Sequence, residues 1–215
     1  MMADSSTARS TGRTVRQPWQ VLGAPEASDL HGATPNSSEF DHVDNLIREG
    51  DYASAKAQLD RIQEGWAHSG DSIDREKLAQ AGFWRSRLSR DPETHPSDNP
   101  TLRQFISDFG SDPAPGGRIW VAHVLMHYWL DNADTQADWT DFDRCFTHLF
   151  GEDEAPEIRR IDAQRRMLQG LRNRRLHGQQ TANMTLTKLI ERYREDTDPI
   201  IAMHVELARQ LLDPS

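Results

Sequence analysis

Arg172, Asn173 and His177 are the residues of this chain whose types and spacing could do chemistry. They stand in the stretch Leu171-Arg172-Asn173-Arg174-Arg175-Leu176-His177-Gly178, where the glycine reads as a helix end. An arginine offers a phosphate a planar fork of donors. A histidine exchanges a proton near neutral pH. Together they form a minimal kit for cutting a phosphodiester without a metal, so no cofactor is expected. Asn173 and His177 are four apart and share a helix face, so the amide could orient the imidazole. Arg172 and His177 are five apart, about 140° around an ideal helix, and cannot meet on a straight one. They converge only if Gly178 ends the helix and His177 swings inward, or if two chains pool their residues. The spacing therefore hints at a dimeric site.

The helix that leads to this stretch carries the local charge. Seven arginines crowd between Arg159 and Arg175, where Asp162 is the only acid. Ile161, Met167, Leu168 and Leu171 gather within about 120° of arc, and Arg159, Arg165, Arg166, Arg172 and Arg174 fall outside it. The plain reading is a solvated arginine face. The functional reading makes Arg165, Arg166, Arg174 and Arg175 contacts to an RNA backbone around the reacting groups.

Other pairs are weaker. His123 and His127, four apart on one face, have a spacing that suits zinc, but no third ligand is evident. A hydrogen-bonding or interface role is the better expectation for them. Cys145 with His148 could suggest a thiol nucleophile, yet Cys145 falls on an apolar stripe and reads as core. Glu152, Asp153 and Glu154 precede Pro156 and suit the positive end of the helix it opens. Trp66, Trp84, Trp120, Trp129 and Trp139 read as core or interface anchors.

The elements that must position these residues are all helical. No segment alternates as a strand does, and runs of Val, Ile and Thr are missing. Helices are predicted over 40–48, 52–63, 73–88 and 102–109, the first two separated by Gly50-Asp51. A Gly/Pro turn runs through Pro113 to Gly117, and 119–130, apolar around nearly its whole circumference, should be a central buried helix. Phe142, Cys145, Phe146 and Leu149 follow at i, i+3, i+4 and i+7. Pro156 opens a long helix to about Leu176, Leu186 to Tyr193 mark the next, and Asp198-Pro199 starts the last. The fold class expected is all-α, a helical bundle with a disordered tail. Residues 1–37 are the tail, 38–98 an N-terminal helical segment that ends in a proline-rich linker, and 99–215 the bundle. Gly50 to Ala55 with Leu59 resembles a tetratricopeptide turn, and Ala137-Asp138-Trp139 echoes it. The two lie 87 positions apart, no multiple of the 34-residue repeat.

Composition narrows the class. The 215 residues suit one domain, or one plus an appendage, with 36% hydrophobic residues and a mean hydropathy of -0.77. A net charge of -9 argues against a protein that coats nucleic acid nonspecifically. Only three of the 25 basic residues are lysines, a bias that a GC-rich genome explains. No run of 18 apolar residues occurs, so no membrane partner is expected. The start lacks an apolar secretory core, and Arg9, Arg13 and Arg16 only faintly suggest a transit peptide. One cysteine permits no internal disulfide, and a cytoplasmic location is expected.

Arg-Asn-x-x-x-His, preceded by leucine and followed by glycine at a helix end in an all-α domain, resembles the signature of the HEPN superfamily. The resemblance covers Arg172, Asn173 and His177, with the long helix before them and the two after. It implies a helical bundle that dimerises and places two motifs in one cleft. It further implies a metal-independent endoribonuclease, acting as a toxin or antiviral effector, with RNA and an antitoxin or regulatory protein as partners. Some such toxins carry a tyrosine two residues past the histidine, where this chain has Gln179, so control by nucleotidyl transfer is not implied. Other members are non-catalytic, and a helical module for protein–protein interaction is the alternative.

Overall fold

The computed structural model describes residues 38–66, 71–88, 99–131 and 140–213, and all of the regular structure in them is α-helix. The expected tail, the linker after Leu88 and the Ala137-Asp138-Trp139 turn lie outside the described residues. In chain order the helices are α1 (Ser38–Glu49), α2 (Tyr52–Trp66), α3 (Ser72–Leu88), α4 (Pro100–Phe109), α5 (Pro115–Asp131), α6 (Thr140–Phe150), α7 (Pro156–Leu176), α8 (Gln179–Tyr193) and α9 (Pro199–Leu212). The all-α class read from the sequence is what the chain adopts.

Local rules explain where several helices begin. Asn99 caps α4 by accepting from the Leu102 amide at 3.1 Å. Asp198 caps α9 by accepting from the Ile200 and Ile201 amides at 2.9 and 3.2 Å. Pro100, Pro156 and Pro199 then occupy the first turn, where a missing N–H costs nothing. The run expected as a turn through Gly117 becomes helix from Pro115 onward. Its glycines allow the Asp112 and Glu76 carboxylates to lie against the first turn of α5.

Two apolar clusters form among the described residues. The larger joins α1 through α6 and includes Val43, Leu59, Phe83, Leu102, Trp120, Val121, Phe146 and Phe150, finishing on Ile158 and Ile161 of α7. Phe83 and Trp120 meet at 5.2 Å between ring centres, so this core runs across the boundary placed at residue 98. Trp84 and Trp120 are core residues, as expected. Each large side chain removed from water here contributes about 2–3 kcal/mol. The smaller cluster joins α7, α8 and α9 through Ala163, Met167, Leu186, Leu189, Tyr193, Ile201 and Val205.

The helix α7 belongs to both clusters. Ile158, Ile161, Asp162, Ala163, Arg165, Met167, Gly170 and Asn173 are all buried on it. At 100° per residue they span about 240° of its circumference. The amphipathic helix with a solvated arginine face is therefore a second central helix, beside the apolar α5. Its polar residues are tolerated inside because they meet partners there.

Candidate functional site

The charged partners of α7 come from distant sequence. Asp162, 3% exposed at its side chain, accepts from Arg165 at 2.6 Å, Arg166 at 2.8 Å and the Tyr193 hydroxyl at 2.7 Å. Arg192 of α8 approaches the same carboxylate at 3.3 Å. Arg165 also pairs with Asp143 of α6, and its guanidinium lies over the Phe146 ring, 4.8 Å from the centroid. Burial and the adjacent Arg166 pull the Arg165 pKa below its ordinary value. Its contacts with Asp162 and Asp143 favour the charged form. Burial, with the Asp162 charge, pushes the Tyr193 phenol up to about 12, so it stays a donor.

This network changes the picture of the arginine-rich helix. Arg159 pairs with Asp196, and Arg160 bonds Asp198 at 2.8 Å, tying the start of α7 to the turn between α8 and α9. Arg159, Arg160, Arg165 and Arg166 are thus spent on carboxylates within the chain. Arg165, expected among the RNA contacts, is 4% exposed and faces inward. Arg166 is 18% exposed at its side chain and bound to Asp162. On the last turn of α7, Arg174 and Arg175 are exposed.

At that end the three motif residues part company. Arg172 is half-buried, Asn173 is buried and His177 is exposed. The Asn173 Nδ2 donates to the Thr185 hydroxyl of α8 at 2.9 Å, so the amide turns toward α8. The expected pairing of Asn173 with the imidazole gives way to a backbone bond, His177 N–H to Asn173 carbonyl, at 2.8 Å. His177 itself leaves helical geometry at φ -123 and ψ 0, and Gly178 follows at φ +87 and ψ 174. That left-hand φ is open to glycine and strained for other residues.

The helix end expected at Gly178 is present, but His177 does not swing inward. It points out, at a tip formed by the end of α7 and the start of α8. That start has no side-chain cap, so its first amides project at the same tip as His177, Arg174 and Arg175. Beside the tip, Gln179, Gln180, Asn183, Met184, Thr187, Lys188 and Glu191 line a shallow groove of about 670 Å³. Leu176 and Met184 are 37% and 59% exposed there, apolar surface that a monomer leaves in water.

The remaining candidates fall into structural places. His123 lies beside Trp120 at 5.9 Å and His127 beside Phe83 at 5.6 Å. Among the described residues no group of three or more His, Cys, Asp or Glu side chains converges as metal ligands would. Cys145 is half-buried, and burial pushes its thiol up, away from a reactive thiolate. His148 is exposed. Asp153, read as part of an acidic helix start, accepts from Arg118 at 2.7 Å and from the Ala155 amide at 3.0 Å. It clips the start of α5 to the turn before α7. Thr185 and Asp143 were not singled out by the sequence, since nothing local marks either as a partner of α7.

Comparison with family models, with curated proteins and with solved structures gives no match.

Proposed function

We propose that this chain is a metal-independent endoribonuclease of the HEPN type, working as a homodimer. The observation that carries the reading is the tip of α7. An exposed histidine sits there at a helix end, with exposed Arg174 and Arg175 in the preceding turn and Arg172 one step before the buried Asn173. An imidazole open to solvent beside guanidinium groups suits a polyanion whose own hydroxyl is the nucleophile.

The chemistry follows from those groups. The 2′-OH of RNA attacks the adjacent phosphorus, so an O2′–P bond forms and the P–O5′ bond breaks. His177 takes the proton from O2′ or delivers one to O5′, and a dimer supplies two such imidazoles for the two tasks. Arg172 neutralises charge on the phosphoryl oxygens. Arg174 and Arg175 hold the flanking backbone, and Arg165 and Arg166, both bound to Asp162, brace the helix from within. The products carry a 2′,3′-cyclic phosphate and a 5′-OH. Exposed apolar Leu176 and Met184 beside the tip support the dimer. A toxin or antiviral role, restrained by an antitoxin or regulatory protein, fits such an activity.

Purified protein should cleave RNA in EDTA. Arg172→Ala and His177→Ala should each lower the rate at least about 100-fold while circular dichroism and thermal unfolding stay close to the parent. Parental rates in both variants would refute the reading. An inactive monomer would favour a helical interaction module instead.

A further inference from the structure

The hydrogen bonds around Asn173 continue into α8. The Thr185 hydroxyl donates to the Thr181 carbonyl one turn earlier, at 3.1 Å. With its proton committed, that oxygen serves the Asn173 Nδ2 only as an acceptor. The Asn173 amide is thereby oriented with Nδ2 toward α8 and Oδ1 away from Thr185. The Asn173 backbone carbonyl in turn receives the His177 N–H at 2.8 Å. An unbroken series of bonds therefore runs from the backbone of α8 to the residue proposed to move the proton.

Packing holds the two helices close at that level. A Cβ on Gly170, one turn before Asn173, would lie 2.4 Å from the Leu186 Cδ2. The absent side chain lets α8 approach α7 closely enough for Thr185 to reach Asn173. Asn173 is 9% exposed, so water is a poor substitute for the threonine oxygen.

We infer that Thr185 is a positioning residue for the site, holding Asn173 and through it the last turn of α7 from which His177 projects. This rests on the ribonuclease reading of the same tip. It places Asn173 as the fastener of the helix end, with Oδ1 the amide atom turned away from the fastening.

The test compares Thr185→Val, which keeps the shape and removes the hydroxyl, with Thr185→Ser, which keeps the hydroxyl. With RNA in EDTA, the valine variant should show kcat lowered at least about tenfold at nearly unchanged KM, and the serine variant should stay within about threefold of the parent. Amide hydrogen exchange at His177 should accelerate at least about tenfold in the valine variant, with Leu189 protected as in the parent. Parental kcat in the valine variant, equal impairment of both variants, or unchanged exchange at His177 would overturn the inference alone. A parent that cleaves no RNA would overturn the ribonuclease reading and, with it, this one.

Discussion

Asp162 gathers several cationic and hydroxyl partners onto one side chain. It is a buried carboxylate that binds two arginines and a tyrosine, with a third arginine at its edge. Its removal would leave the buried Arg165 facing the more exposed Asp143, and a buried charge that loses a partner is costly. Asp162→Asn should therefore lower unfolding stability by about 3–5 kcal/mol in urea. Tyr193→Phe, which removes one hydrogen bond, should cost about 1–2 kcal/mol. A loss below about 1 kcal/mol for the asparagine variant would contradict the central role given to this carboxylate. The motif residues themselves were legible because three letters and a glycine lie within eight positions. Their partners were not. Thr185 stands twelve residues beyond Asn173, and Asp143 twenty-two before Arg165, so neither bond leaves a local trace. A helical wheel assigns a face to an arginine by its own helix alone. It cannot register a carboxylate arriving from another.

Among the elements, the turn between α7 and α8 decides where His177 stands. Gly178 takes φ +87 and ψ 174 with open space around the position a Cβ would occupy. The cost of Gly178→Ala is therefore one of backbone strain, about 1–3 kcal/mol, with no steric clash to add to it. RNA cleavage should fall with it, because the turn carrying His177 must rearrange. Gly50, at φ +79 between α1 and α2 and likewise unobstructed, is the matched control. Gly50→Ala should show a comparable shift in thermal unfolding and parental cleavage. Equal loss of cleavage in both variants would mean that the turn has no special hold on the site. The helix starts at Pro156 and Pro199 and the i, i+3, i+4 row in α6 could be read from the sequence, since they obey rules within one helix. The depth of α7 could not, because its low hydropathy is offset by ion pairs to α6, α8 and the α8–α9 turn.

For the whole molecule, two interior histidines link stability to pH. Burial lowers the pKa of His204, and it pushes His123 down to about 4 from an ordinary 6.5. Between those two values the unfolded chain binds the proton that His123 in the folded chain refuses. Stability is thus retained above pH 6.5 and lost as pH falls toward 4, by at most about 3 kcal/mol for His123. Urea unfolding of His123→Leu and the parent across that range should show the smaller pH dependence in the variant. Identical slopes would mean that this histidine is not the acid-sensitive group. The passage of α7 through both apolar clusters has a further consequence, for how the chain comes apart. Neither cluster is closed without a stretch of the same 21-residue rod: Ile158 and Ile161 complete the first, Ala163 and Met167 the second. A protease cut between α6 and α7 would strip one cluster of its last wall and leave the other holding two apolar residues with nothing to cover them. The bundle has two interiors but one spine, so melting at either end is felt at the other.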